Sequence, residues 1–182
     1  MEKRSEILGR WFDAILDTYP ADTASFLKNQ KDRFHNPVGY TIYEGIAGIF
    51  DEIIKEAGDF DGASPFLDNI IRIRAIQDFA PSSAVSFVVL LKRIIRDELK
   101  AANGAFAVSS EELSLLDSKI DNLVLLSFDI YMGCRERLYE IKANEVKRNT
   151  FRLLQRAKLI CEAQEDEPGL DDNNQERKEV TK

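Results

Sequence analysis

The sequence predicts an all-α fold, on three observations. Apolar residues recur at three- and four-residue intervals through most of the chain, and helix-starting and helix-stopping residues punctuate those runs. No segment shows the sustained period-two alternation of strands flanking a tight hairpin turn. At 182 residues, 44% hydrophobic and 31% charged, the chain is long enough for one compact domain whose core needs no disulfide or metal staples.

The first helix carries Ile7, Leu8, Trp11, Phe12, Ile15, Leu16 and Tyr19 on one face, and Pro20 closes it. A short second helix is expected from about Asp22 to Gln30, with Asp22 or Thr23 as its cap. Asn36-Pro37 starts a third, with the stripe Val38, Ile42, Ile46, Ile49, Phe50, Ile53 and Ile54, ending at Gly58. Gly39, Gly45 and Gly48 lie in or near it, each lowering helix propensity by up to about 1 kcal/mol. They point to close helix packing or to a ligand pocket. Ser64-Pro65 reads as an N-cap followed by proline at the first helical position, launching Phe66 to Phe79. Pro81 opens the helix through Leu99, and Asn103-Gly104 ends it. Ser109 and Glu112 fit a capping box at the head of a long last helix that continues to about Ala163.

Residues 1–163 therefore form the expected domain, and 164–182 an acidic, disordered tail with almost no large apolar residue. The net charge of -7 divides accordingly: 162–182 hold eight acidic and three basic residues, leaving the rest nearly balanced. A pI near 4.9 argues against sequence-independent nucleic-acid binding, and no groove-reading motif accompanies the basic last helix. Cys134 and Cys161 stand 27 residues apart in a helical stretch, roughly 40 Å along a helix axis, so reduced thiols are expected. Asp13 and Asp17 interrupt any signal-peptide core, and the most apolar stretch, Ala84 to Leu91, falls well short of the roughly 20 residues a membrane span needs. The expected location is the cytoplasm.

Chemistry-bearing motifs are sparse. His35, the one histidine, supports neither a zinc site nor a Ser-His-Asp arrangement, and Pro37 keeps it off a continuous helix. No phosphate-cradling glycine loop or Cys-x-x-Cys occurs, so no cofactor is expected. The unusual polar cluster is Asp68, Arg72, Arg74, Gln77 and Asp78 within a strongly apolar helix. Asp68 with Arg72, and Arg74 with Asp78, have the i, i+4 spacing of helix-surface ion pairs. The cluster reads as a solvated ion-paired face or as a polar site for an anionic ligand or partner.

With Ala143, Thr150 and Ala157 at heptad position a, Tyr139, Val146, Leu153 and Ile160 fall at d. Small a and large d residues over three heptads read as a narrow seam for a second copy or another protein, or as the face of a helix packing on its own domain. Arg135 to Lys158 hold eight basic and three acidic residues. A parallel homodimer would set Lys142 against Lys147; an antiparallel pair, an acidic partner or partial neutralisation by the acidic tail avoids that clash.

Arg10-Trp11-Phe12-Asp13, Thr18-Tyr19-Pro20, Asn36-Pro37-Val38-Gly39, Ile70-Ile71-Arg72-Ile73-Arg74-Ala75, Gln77-Asp78-Phe79, Pro81-Ser82, Phe128-Asp129-Ile130-Tyr131 and Arg135-Glu136 resemble the RsbRD N-terminal domain family of RsbT co-antagonist proteins. The resemblance spans most of Ile7 to Lys158. It implies a globin-like sensory bundle without haem that dimerises and signals through its terminal helix. Residues after that helix leave no room for the STAS domain of stressosome proteins, so a direct antagonist role is not expected. The expectation is a non-enzymatic regulatory module working by dimerisation or docking; the alternative is a small anionic ligand sensor or carrier with an inter-helix pocket near Arg72.

Overall fold

The computed structural model describes residues 2–29, 32–55, 62–101 and 108–157. They form six helices and no strand: α1 (Glu2–Leu16), α2 (Ala21–Asn29), α3 (Pro37–Ile53), α4 (Ser64–Ile76), α5 (Pro81–Ala101) and α6 (Ser110–Arg156). The all-α expectation holds. The expected stops at Gly58 and Asn103-Gly104, the end of the second helix at Gln30, Cys161 and the tail at 164–182 lie outside the described residues.

Several starts follow the sequence signals. Asn36 caps α3: its Oδ1 accepts from Gly39 N at 2.8 Å while its Nδ2 donates to Leu27 O at 2.8 Å, so one buried side chain closes both α2 and α3. Gly39 serves this cap, because a Cβ there would lie 2.2 Å from Asn36 Nδ2. The capping box at α6 forms in both directions, Ser109 N to Glu112 Oε2 at 2.8 Å and Glu112 N to Ser109 Oγ at 3.1 Å. Two starts sit one residue early. Ala63, not Ser64, is the N-cap of α4, and α2 begins at Ala21 with Asp22 in its first turn, where a carboxylate complements the helix dipole without capping.

The core is built on α1, α3, α4 and α5, with α3 packed most extensively on α4, and α1 on α5 and α3. Trp11 is fully buried, stacks on Phe87 at 6.3 Å and donates Nε1–H to Phe87 O at 2.7 Å, which joins α1 to α5. Gly45 and Gly48 let α3 and α4 approach: a Cβ would lie 2.7 Å from Ile70 Cδ1 at one and 2.5 Å from the Phe66 ring at the other. Of the two readings these glycines left open, close packing is the one the structure realises. α6 is tied on by Ile120, Leu123 and Tyr131 in the core and by long side chains, among them Lys92 to Asp121 at 2.7 Å and Lys119 to Lys55 O at 2.6 Å.

The chain divides into two compact units, Met1–Lys142 and Ala143–Lys182. This boundary lies within α6. As far as it is described, the second unit is the helical stretch that ends at Arg156, with no buried residue.

Candidate functional site

The polar cluster of α4 does not converge on one site. Arg72 stays on the surface, its Nε donating to Asp68 Oδ2 at 2.5 Å, as its spacing predicts. Gln77 is exposed at the helix end. Arg74 and Asp78 do not pair. The helix stops at Ile76, and Asp78 takes a left-handed conformation (φ 58°) while Phe79 N bonds back to Arg74 O at 3.2 Å. That is a Schellman-type close in which Asp78 occupies the place glycine usually fills. The i, i+4 rule ends where the helix does.

Arg74 turns inward instead and is fully buried. Its Nη2 donates to Thr18 Oγ1 at 2.9 Å and to Ser83 O at 3.0 Å, and its guanidinium lies 4.3 Å from the Phe79 ring centre, 5.5 Å from Tyr19 and 5.8 Å from Phe87. No carboxylate reaches it among the described residues, and Nε and Nη1, like the Tyr19 hydroxyl, are buried with no polar partner beyond one another. Burial pushes the Arg74 pKa down, and burial pushes the Tyr19 phenol up against the opposing pull of Arg74. Stacking on three rings offsets part of the charge's desolvation.

Asp78 pairs with a residue that the pattern on α4 gives no hint of. Arg135 of α6 donates from Nη1 to Asp78 Oδ1 at 2.5 Å and to Ala75 O at 3.1 Å, and from Nη2 to the Tyr139 hydroxyl at 3.0 Å. Its guanidinium also lies 5.0 Å from the Tyr139 ring centre. One turn earlier, the Tyr131 hydroxyl donates to Phe79 O at 2.6 Å. The turn between α4 and α5 is thus held from inside by Arg74 and from α6 by Tyr131 and Arg135. The Arg135 cation on the last carbonyls of α4 complements that helix's negative end. The i, i+4 spacing of Arg135 and Tyr139 was visible in the sequence; the link to Asp78, 57 residues away, was not.

Every residue from 139 to 153 is exposed. Tyr139, Val146 and Leu153 are about 60% exposed, at 58%, 65% and 63%, and Ala143, Thr150 and Ala157 are exposed too, while Ile160 lies outside the described residues. Within the first unit, Leu125 and Met132 continue the seven-residue interval upstream and are exposed, as is Phe128. Ile141 and Phe151 are exposed at positions off the seam. Cys134 is a free, half-buried thiol whose pKa burial pushes up, the reverse of what a reactive cysteine needs.

The corner between α4 and α5 is latched by Arg74, Tyr131 and Arg135 in an all-α domain, and among the described residues no group of three side chains could hold a metal ion. The chain belongs to the family described as the RsbT co-antagonist protein rsbRD N-terminal domain, which matches residues 5–146. That family has a regulatory and sensory role in signalling. An Archaeoglobus fulgidus protein described as uncharacterized is 24% identical over 147 residues, 78% of this chain and 83% of its own length. No solved structure matches. No helix among the described residues is long and apolar enough to cross a membrane.

Proposed function

We propose that this chain is a non-enzymatic, globin-like regulatory module that acts through its last helix, by pairing with a second copy or docking on a protein partner in the cytoplasm. The observation that carries the reading is the exposure of 139–153 together with large apolar side chains at Val146 and Leu153. Large apolar side chains exposed at seven-residue spacing are stabilised when a facing helix covers them. Gly133 supports the same face. A Cβ there would meet nothing within 4 Å, so no contact among the described residues accounts for a glycine beside exposed Met132 and Phe128. Arg135 supplies the coupling: a change at the α4–α5 turn that displaces Asp78 frees the guanidinium lying over Tyr139, the first seam residue. A signal works here only by binding two arrangements of that turn with different affinity. Light scattering on the intact chain and on Leu153→Glu tests the seam. A dimer that persists in the variant, or a monomer whose partner binding is unchanged, removes the proposal.

A second reading, a receptor for a small anion, is favoured by the buried Arg74 Nε and Nη1 and Tyr19 hydroxyl, which have no polar partner beyond one another. It belongs at Arg74, since Arg72 is already bound by Asp68 and the glycines near it are filled by Ile70 and Phe66. Thermal-shift screening of small carboxylates and sulfur oxyanions tests it: a stabilisation lost in Tyr19→Phe supports the receptor, and no shift with any of them ends it.

A further inference from the structure

We propose that the concavity between α1, α2 and α3 binds a small organic cation with a flat, apolar body. The space measures about 550 Å³, within the range of ordinary small-molecule sites. Its walls include Gly9 and Phe12 of α1, Leu27 of α2, and Tyr40, Tyr43 and Glu44 of α3. Three separate observations bear on what fits there.

The first is Gly9, in the middle of α1, where glycine lowers helix stability relative to alanine. Gly45 and Gly48 are explained within the chain by the side chains a Cβ would strike. At Gly9 a Cβ would meet nothing within 4 Å. No side chain among the described residues accounts for the glycine, and Gly9 is one of the residues that line this concavity.

The second is the aromatic lining. Phe12 and Tyr43 meet edge to face at 5.6 Å, and Tyr40 and Tyr43 remain more than a third exposed on α3. Tyr40 already carries the Arg33 guanidinium 5.3 Å from its ring centre, so these rings stand where a cation can reach a π face. The third is charge. Asp13 at the rim is neutralised by Lys28 at 2.9 Å, whereas Glu44 makes no ion pair among the described residues. Among the lining residues Asp13, Lys28 and Glu44 leave one net negative charge, which beside aromatic walls favours a cation over an anion and a ring-bearing amine over a hydrated metal ion. Arg74 is not among the residues that line it.

The test is a chemical-shift titration of the full-length, ¹⁵N-labelled chain with tryptamine, and with indole-3-ethanol and indole-3-acetate as neutral and anionic counterparts. Tryptamine is expected to shift the amides of Gly9, Tyr40 and Tyr43 and to bind about tenfold or more tightly than the acetate. Glu44→Gln is expected to remove the amine's advantage over the alcohol. Gly9→Leu is expected to weaken tryptamine about tenfold, while Gly9→Ala raises the melting temperature, which shows that the glycine does not serve the fold. Indole-3-acetate binding as tightly as tryptamine, unchanged affinity in Gly9→Leu, or no response at Gly9 to any of the three probes overturns the proposal.

Discussion

The two stretches of α6 follow different rules. Between Ser110 and Lys142 the buried residues are Ile120, Leu123, Ser127 and Tyr131, spaced three or four apart, which is the stripe of a helix lying on its own domain. From Ala143 to Arg156 none is buried, and the large residues of the seam, Val146 and Leu153, come seven apart. A seven-residue seam is too narrow to fill the side of a globular core, yet it suits a facing helix. The family match also ends at residue 146, close to the boundary of the first unit. Helical propensity is continuous across that boundary; the use of the apolar residues is not.

The largest test of this contrast is Leu123→Ala. Leu123 is fully buried, so the truncation removes transfer energy and leaves a cavity, at a cost of about 2–5 kcal/mol. Urea denaturation read by circular dichroism measures it. A loss below about 1 kcal/mol would mean that the first stretch of α6 is as loosely held as the second.

Tyr131→Phe is a finer probe of the same stretch. It keeps the ring and deletes the hydroxyl that donates to Phe79 O at 2.6 Å, so about 1 kcal/mol of stability is expected to go. The melting temperature should fall accordingly, and amide exchange at the α4–α5 turn should quicken more than exchange within α3.

A pH series separates the ion pairs of the first unit. Arg135 holds the Asp78 carboxyl below its ordinary pKa; Arg4 does the same for Asp51, and Arg10 with Lys3 for Glu98. A carboxyl with a lowered folded-state pKa adds stability that is complete above its unfolded value, about 4, and disappears as pH falls through the folded value. The melting temperature should therefore decline below about pH 4. In Arg135→Gln the Asp78 carboxyl, followed by NMR, should titrate closer to its ordinary pKa. An unchanged titration would show that the corner is not latched through this pair in solution.

These cases also mark what the sequence could show. Asn36, Pro81 and the Ser109–Glu112 box act through neighbours within four residues, and their local signals located helix starts correctly. Ser64 misled by one position because proline fits either the first or the second helical position. Asp78 misled more, since an aspartate that closes a helix in the left-handed region looks the same in sequence as one that continues it. Arg74 required contacts from Thr18 and Ser83, and Trp11 its partner Phe87, 76 residues on; no periodicity encodes such pairings. The exposure of Tyr139, Val146 and Leu153 agrees with a seven-residue spacing that was legible because it is a local pattern. The concavity beside Gly9 was not, because three helices supply its walls.

The smallest expected effect on folding is the one that tests the second stretch most directly. Val146 and Leu153 are about two-thirds exposed, so replacing both with serine removes little buried surface within one chain. At low protein concentration the folding free energy should change by no more than about 0.5 kcal/mol. If the seam joins two copies, the wild-type melting temperature rises with protein concentration, since association stabilises the folded chain by mass action, and the doubly substituted chain loses that dependence. Equal concentration dependence in both proteins would assign these apolar residues to no self-association and leave docking on a different protein as the use of the exposed helix. A large loss of stability in dilute solution would instead mean that the helix beyond Lys142 packs on its own domain, and the division within α6 would fail.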